Sequence, residues 1–135
     1  MKKNTIKIFS NNLCFSNIII KKHKKITLYI EFKNVLFNIQ DWNHFILNIT
    51  NFYNNYTIDS NYKIKINLIN SNIYDISKYY EIFNLVHDDN NIKNINKKFL
   101  TSIDIIINNN IIINILNKII SCYNPIFKIN LIYSD

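Results

Sequence analysis

Lys63–Glu81 reads KIKINLINSNIYDISKYYE, and its two halves carry two different hydrophobic periods. Ile64, Ile66 and Leu68 alternate with Lys63, Lys65 and Asn67, the period-two pattern of a strand with one face against a core. Asn70, Ser71 and Asn72 then break the run with side chains that hydrogen-bond their own backbone and favour turns. Asp75 stands where an N-cap is needed, its carboxylate placed to accept from the free amides of a first helical turn. Beyond it Ile76, Tyr79, Tyr80, Phe83 and Val86 recur at helical spacing and predict one buried stripe. The stretch is strand, polar turn and helix start. Free amides at the helix start give that edge a partial positive charge. In α/β sheets such turns are where ligands and partners engage; the simpler reading is that Asp75 caps the helix and does nothing else.

The same two periods continue on both sides. Thr5–Phe9 and Ser16–Ile20 are short apolar alternations separated by Asn11 and Asn12, either a first strand or a strand and its return. Ile26, Leu28, Ile30 and Phe32 alternate with Thr27, Tyr29 and Glu31 in a second strand. After a connection over 34–40, Asp41 is expected to cap a helix. Its stripe is Trp42, Phe45, Ile46, Ile49, Phe52, Tyr53 and Tyr56, and Asp59, Ser60 and Asn61 supply the turn that follows.

Downstream, His87-Asp88-Asp89-Asn90-Asn91 breaks the central helix, and Ile92, Ile95 and Phe99 extend a short further helical piece. Thr101–Ile107 reads as a strand and Asn108–Asn110 as a turn and cap. Ile112, Ile115, Leu116, Ile119 and Tyr123 mark a further helix, which Pro125 stops before a last strand over Ile126–Tyr133. Strands alternating with helices imply βαβ units, with right-handed crossovers laying the helices over the sheet. The expected fold class is α/β, a mixed, mostly parallel sheet of about four to five strands with about three to four helices. One domain spans 1–135, with N-terminal strands in 1–24 and the alternating core in 25–135.

Composition bounds the function more than it names it. Hydrophobic residues make up 48% of the chain, as a globular protein requires. Gly, Ala and Arg are absent while Asn, Ile and Lys dominate, the imprint of a very AT-rich genome. The formal charge of +7 would suit nucleic acid or an anionic surface. Every basic side chain except histidine is Lys, so the bidentate base and phosphate reader is missing. The lysines cluster only at Lys21, Lys22, Lys24 and Lys25 around His23, a candidate polyanion site with the look of a solvated hairpin end. Any nucleic-acid contact there would be non-specific.

Cys14 and Cys122 fit no metal or redox spacing, and Cys122, between Ile119 and Tyr123, is expected in the core. Asn48-Ile-Thr50 and Asn55-Tyr-Thr57 match the glycosylation pattern by chance in an Asn-rich chain, with no secretory signal to make them matter. No apolar run reaches membrane-spanning length, so a cytoplasmic protein is expected.

Ile26–Ile132 resembles the STAS family, the domain of sulfate transporters and anti-sigma-factor antagonists. ITLYIEFKNVLFNIQDWNHF (26–45) is similar to that family's second strand and first helix. KIKINLINSNIYDIS (63–77) is similar to its signature, a Leu-Asp-Leu type strand ending in Asp-Ser-Ser-Gly before a helix. FLTSIDIIINNNIIINILNKII (99–120) is similar to the next strand and helix. Small STAS-like proteins of AT-rich large DNA viruses look similar in the closing third, which implies a viral protein in the host cytoplasm. Asp75 matches the signature aspartate and Ser77 the second serine, while Ile76 and Lys78 replace the kinase-modified serine and the glycine. The resemblance implies the fold and a non-catalytic regulatory surface that binds a protein partner, without a phosphoserine switch at its usual position. Ser71 and Ser77 are the hydroxyls left near that turn. The lipid-carrying CRAL-TRIO fold has a related strand-helix order but normally needs a longer chain to enclose a ligand.

Little in the chain resembles catalytic chemistry. Adjacent His87, Asp88 and Asp89 rarely converge on one ion, and His44 sits beside the first helical stripe. Without glycine no phosphate-cradling loop of the usual form exists. No enzyme, metal or cofactor is expected. The expected partner-binding surface is Asn70, Ser71, Asn72, Asp75, Ser77 and Lys78, in a non-enzymatic interaction module. The alternatives are a lysine-rich polyanion binder and a small-ligand or lipid carrier.

Overall fold

A computed structural model describes residues 4–10, 14–20, 26–32, 39–69, 71, 73, 75–123 and 127–134, with the backbone alone for 4–10, 14–20, 26, 41 and 123. The elements in chain order are β1 (Asn4–Ser10), β2 (Cys14–Ile20), β3 (Ile26–Phe32), α1 (Ile39–Asn55), β4 (Tyr62–Asn67), α2 (Ile76–Asp88), α3 (Asn90–Phe99), β5 (Leu100–Ile107), α4 (Asn110–Tyr123) and β6 (Ile129–Tyr133). They build a six-stranded sheet in which spatial order follows chain order, β1-β2-β3-β4-β5-β6. β1, β2 and β3 pair antiparallel, and β3, β4, β5 and β6 run parallel. The α/β class with a mostly parallel sheet and four helices is therefore as the sequence implies; the sheet has six strands where four to five are expected, because the N-terminal alternations are a strand and its return.

Register explains the burial. Leu28 faces Ile64, which faces Ile103; Ile30 faces Ile66, which faces Ile105. These residues are buried and form one cluster with Trp42, Phe45 and Ile49 of α1, Tyr79 and Phe83 of α2, Ile92 of α3, and Ile112, Leu116 and Ile119 of α4. All four helices therefore lie on one face of the sheet, which is what right-handed crossovers between successive neighbouring parallel strands require. Burying each such aliphatic side chain contributes roughly 1.5–3 kcal/mol. On the opposite face the register aligns Tyr29, Lys65, Asp104 and Asn130 in one row. Among the described residues no helix covers that face.

Several local expectations need correction. The first helix begins at Ile39, so Asp41 lies inside its first turn and is not the cap. Ile76 has the right angle for the α2 stripe yet is 39% exposed, because its turn borders an open groove between α2 and α4. Cys122 is exposed, not buried. The buried stripe of α4 runs Ile112, Leu116, Ile119, and at 100° per residue position 122 falls to one side of it.

Candidate functional site

β4 ends at Asn67, and the chain makes a compact polar turn before α2 starts at Ile76. The Leu68 amide still donates to the Ile106 carbonyl of the neighbouring strand at 2.8 Å, which anchors the start of the turn. The Ser71 amide returns to the Leu68 carbonyl at 3.1 Å, and the Ser71 hydroxyl accepts from the Ile73 amide at 3.2 Å. Ser71 is buried, so its side chain shapes the turn from inside. The Tyr79 hydroxyl donates to the Ile73 carbonyl and ties the turn to the first helical turn of α2.

Asp75 is the N-cap, with extended backbone and a carboxylate that accepts from the Ser77 amide at 3.0 Å and from the Ser77 hydroxyl at 2.8 Å. The two Ser77 hydrogen bonds hold its carboxyl below the usual range, against slight desolvation and with help from Lys78. Asp75 and Ser77 are both exposed, and Lys78 is half-buried. Lys78 lies 3.9 Å from the Glu81 carboxylate and 5.4 Å above the Trp42 ring. The Trp42 indole N–H donates to the same Glu81 carboxylate. Trp42 itself is buried against Phe32 and Phe45. The solvent edge of this site is therefore an alternating charged strip of Asp75, Lys78 and Glu81 built on a rigid aromatic base.

Asn70 and Asn72 of the expected surface lie outside the described residues, as do Lys21, Lys22, Lys24 and Lys25. Of the remaining members, the fold brings Asp75, Ser77 and Lys78 together and turns Ser71 inward. Trp42 and Glu81 join them, and the sequence gives no sign of it because they meet across thirty-nine positions.

Other candidates disperse. Asp89 caps α3 by accepting from the Ile92 amide at 3.0 Å, Asp88 is exposed, and His87 packs 5.2 Å from the Phe127 ring. His44 is exposed. Among the described residues no three His, Cys, Asp or Glu side chains gather where they would hold a metal ion. On the uncovered sheet face Asp104 accepts from Asn130 at 2.8 Å and Ser102 at 3.2 Å, with Lys63 at 3.6 Å. Burial raises its carboxyl, but the Asn130 amide, Lys63 and Ser102 together bring it below the usual range. Asp104 is thus held by three polar neighbours on this face.

Between the sheet and α1 and α2 lies an apolar void of about 30 Å³, lined by Leu28, Ile64, Phe45 and Phe83 among others. Ligand sites run to about 300–1,000 Å³. Among the described residues no helix is long and apolar enough to cross a membrane. No protein-family model, curated protein or solved structure matches the chain.

Proposed function

We propose that this protein is a non-enzymatic, STAS-like interaction module that engages a protein partner through the β4–α2 turn. What supports the reading is the capped turn itself. It sits at the carboxyl ends of parallel strands and holds Asp75 and Ser77 in solvent on a braced scaffold. The Ser77 hydroxyl, bonded to Asp75, is fixed in direction and ready to meet a polar partner group. Lys78 and Glu81 add one charge of each sign beside it, which selects partners by complementarity without drawing in bulk polyanions. The void beneath the sheet, at about 30 Å³, does not favour a lipid or small-molecule carrier. Lys63 is engaged with Asp104, so the described sheet face offers no concentrated positive patch for nucleic acid.

Affinity capture from native cells at low and moderate salt tests the reading. A protein recovered at moderate salt by the wild type, and lost with an Asp75→Ser, Ser77→Tyr double variant, would support it. Nucleic acid that washes away with salt would point to the lysine-rich alternative.

A further inference from the structure

We infer that β6 is a dimerisation strand, pairing antiparallel with β6 of a second copy of this chain. The inference starts from the phase of its hydrogen bonds. The Ser134 amide donates to the Ile107 carbonyl, and the Lys128 carbonyl accepts from the Ile103 amide, both at 2.8 Å. In a parallel pair a residue directs both its backbone groups to the same side, and its neighbours direct theirs to the other. Lys128, Asn130, Ile132 and Ser134 therefore bond inward to β5. Ile129, Leu131 and Tyr133 point their N–H and C=O groups away from the sheet, where, among the described residues, the strand order places no further strand.

Two-fold antiparallel pairing sets a residue opposite its own copy. Centred on Leu131, it matches Ile129 with Tyr133 of the second copy and Tyr133 with Ile129. All three outward residues then exchange both backbone bonds at once, so the strand is complementary to itself in this register. Ile132, 43% exposed, and Tyr133, 55% exposed, are the exposed large apolar side chains of this edge, and the same register covers both.

The two edges of the sheet differ in a way that points to β6. Natural proteins blunt free edges with bulges, lysines or proline. β1, at the opposite edge, carries Lys7 and an irregularity between Lys7 and Phe9. β6 runs INLIY without charge, proline or any register shift against β5. The joined sheet would carry its two β4–α2 turns at opposite ends, since the paired strands run in opposite directions.

Sedimentation equilibrium of the intact chain over a rising concentration series provides the test, together with amide hydrogen exchange. The wild type is expected to pass from 16.2 kDa to twice that mass. Leu131→Pro removes an amide that β5 does not use, and an edge strand tolerates proline there, so this variant is expected to stay folded and monomeric. Ile132→Lys with Tyr133→Lys is expected to do the same, which covers the case of a Leu131→Pro chain that fails to fold. The amides of Ile129, Leu131 and Tyr133 are expected to slow about tenfold or more as dimer accumulates, while that of Asn130 is already protected. A wild type that remains monomeric at about 1 mM overturns the inference. So does a dimer that persists in the double-lysine variant, or one whose Leu131 amide exchanges at an unchanged rate.

Discussion

Asp75 accepts both the amide and the hydroxyl of Ser77, at 3.0 and 2.8 Å, so one carboxylate starts α2 and orients the side chain beside it. Asp75→Ala is expected to cost about 1 kcal/mol in urea unfolding, and Asp75→Ser to recover most of it, since serine also caps. The folded carboxyl titrates below its unfolded value of about 3.9, so its contribution is complete above that pH. It is lost as pH falls through the folded value. Urea midpoints at falling pH should therefore converge for wild type and Asp75→Ala.

Beneath the amino ends of the parallel strands, the Tyr53 and Tyr62 hydroxyls lie 2.7 Å apart, and Tyr62 donates to the Asn96 amide oxygen. Asn96 in turn donates to the Val86 carbonyl at 3.3 Å, which links α1, β4, α3 and α2 in one buried chain. Tyr62→Phe leaves Tyr53 and Asn96 short of a partner and is expected to cost about 1–3 kcal/mol. A smaller loss for the double change Tyr62→Phe, Asn96→Leu than for the sum of the singles would show that the groups act as a unit.

Trp42 is the protein's one tryptophan, so its emission reports on a single site. Glu81→Ala removes the acceptor of its indole N–H and the partner of Lys78. The expected results are a blue-shifted emission maximum and a loss of about 1.5–3 kcal/mol, the range for bonds to charged groups. Unchanged emission would mean that the indole does not use this carboxylate in solution.

Burial lowers the pKa of the His87 imidazole, and Lys93 adds to the effect against the pull of Asp88. A histidine depressed on folding contributes stability that is fully present above its unfolded pKa of about 6.5 and is lost as pH falls through the folded value. The wild type is expected to lose stability on acidification from neutral pH. His87→Gln should flatten that part of the curve, as read from urea midpoints across the range.

β4 was legible because its outward face is polar: Lys63, exposed, and Lys65 and Asn67, half-buried, lie on the uncovered face while Ile64 and Ile66 face the helices. The period of β5 is harder to see. Ile103, Ile105 and Ile107 are buried, but Ile106 sits opposite Asn67 on the other face, so an unbroken isoleucine run hides the period. Asn96 illustrates a second limit. Among Asn90, Asn91 and Asn94 on the same helix nothing in the sequence sets it apart, and only the fold brings it to Tyr62 across thirty-four positions. The site was half legible for the same reason. Asp75 and Ser77 act on near neighbours and follow from spacing, whereas Trp42 and Glu81 meet through the packing of α1 on α2. The inward turn of Ser71 is likewise a property of the folded loop.

Retention of the captured protein partner by an Asp75→Ser, Ser77→Tyr variant that melts with the wild type is the decisive measurement for the β4–α2 surface. A drop of about tenfold in affinity, or about 1.4 kcal/mol, is predicted if the partner docks on this turn. Equal affinity for the two chains would contradict it and move the search to the rest of the surface.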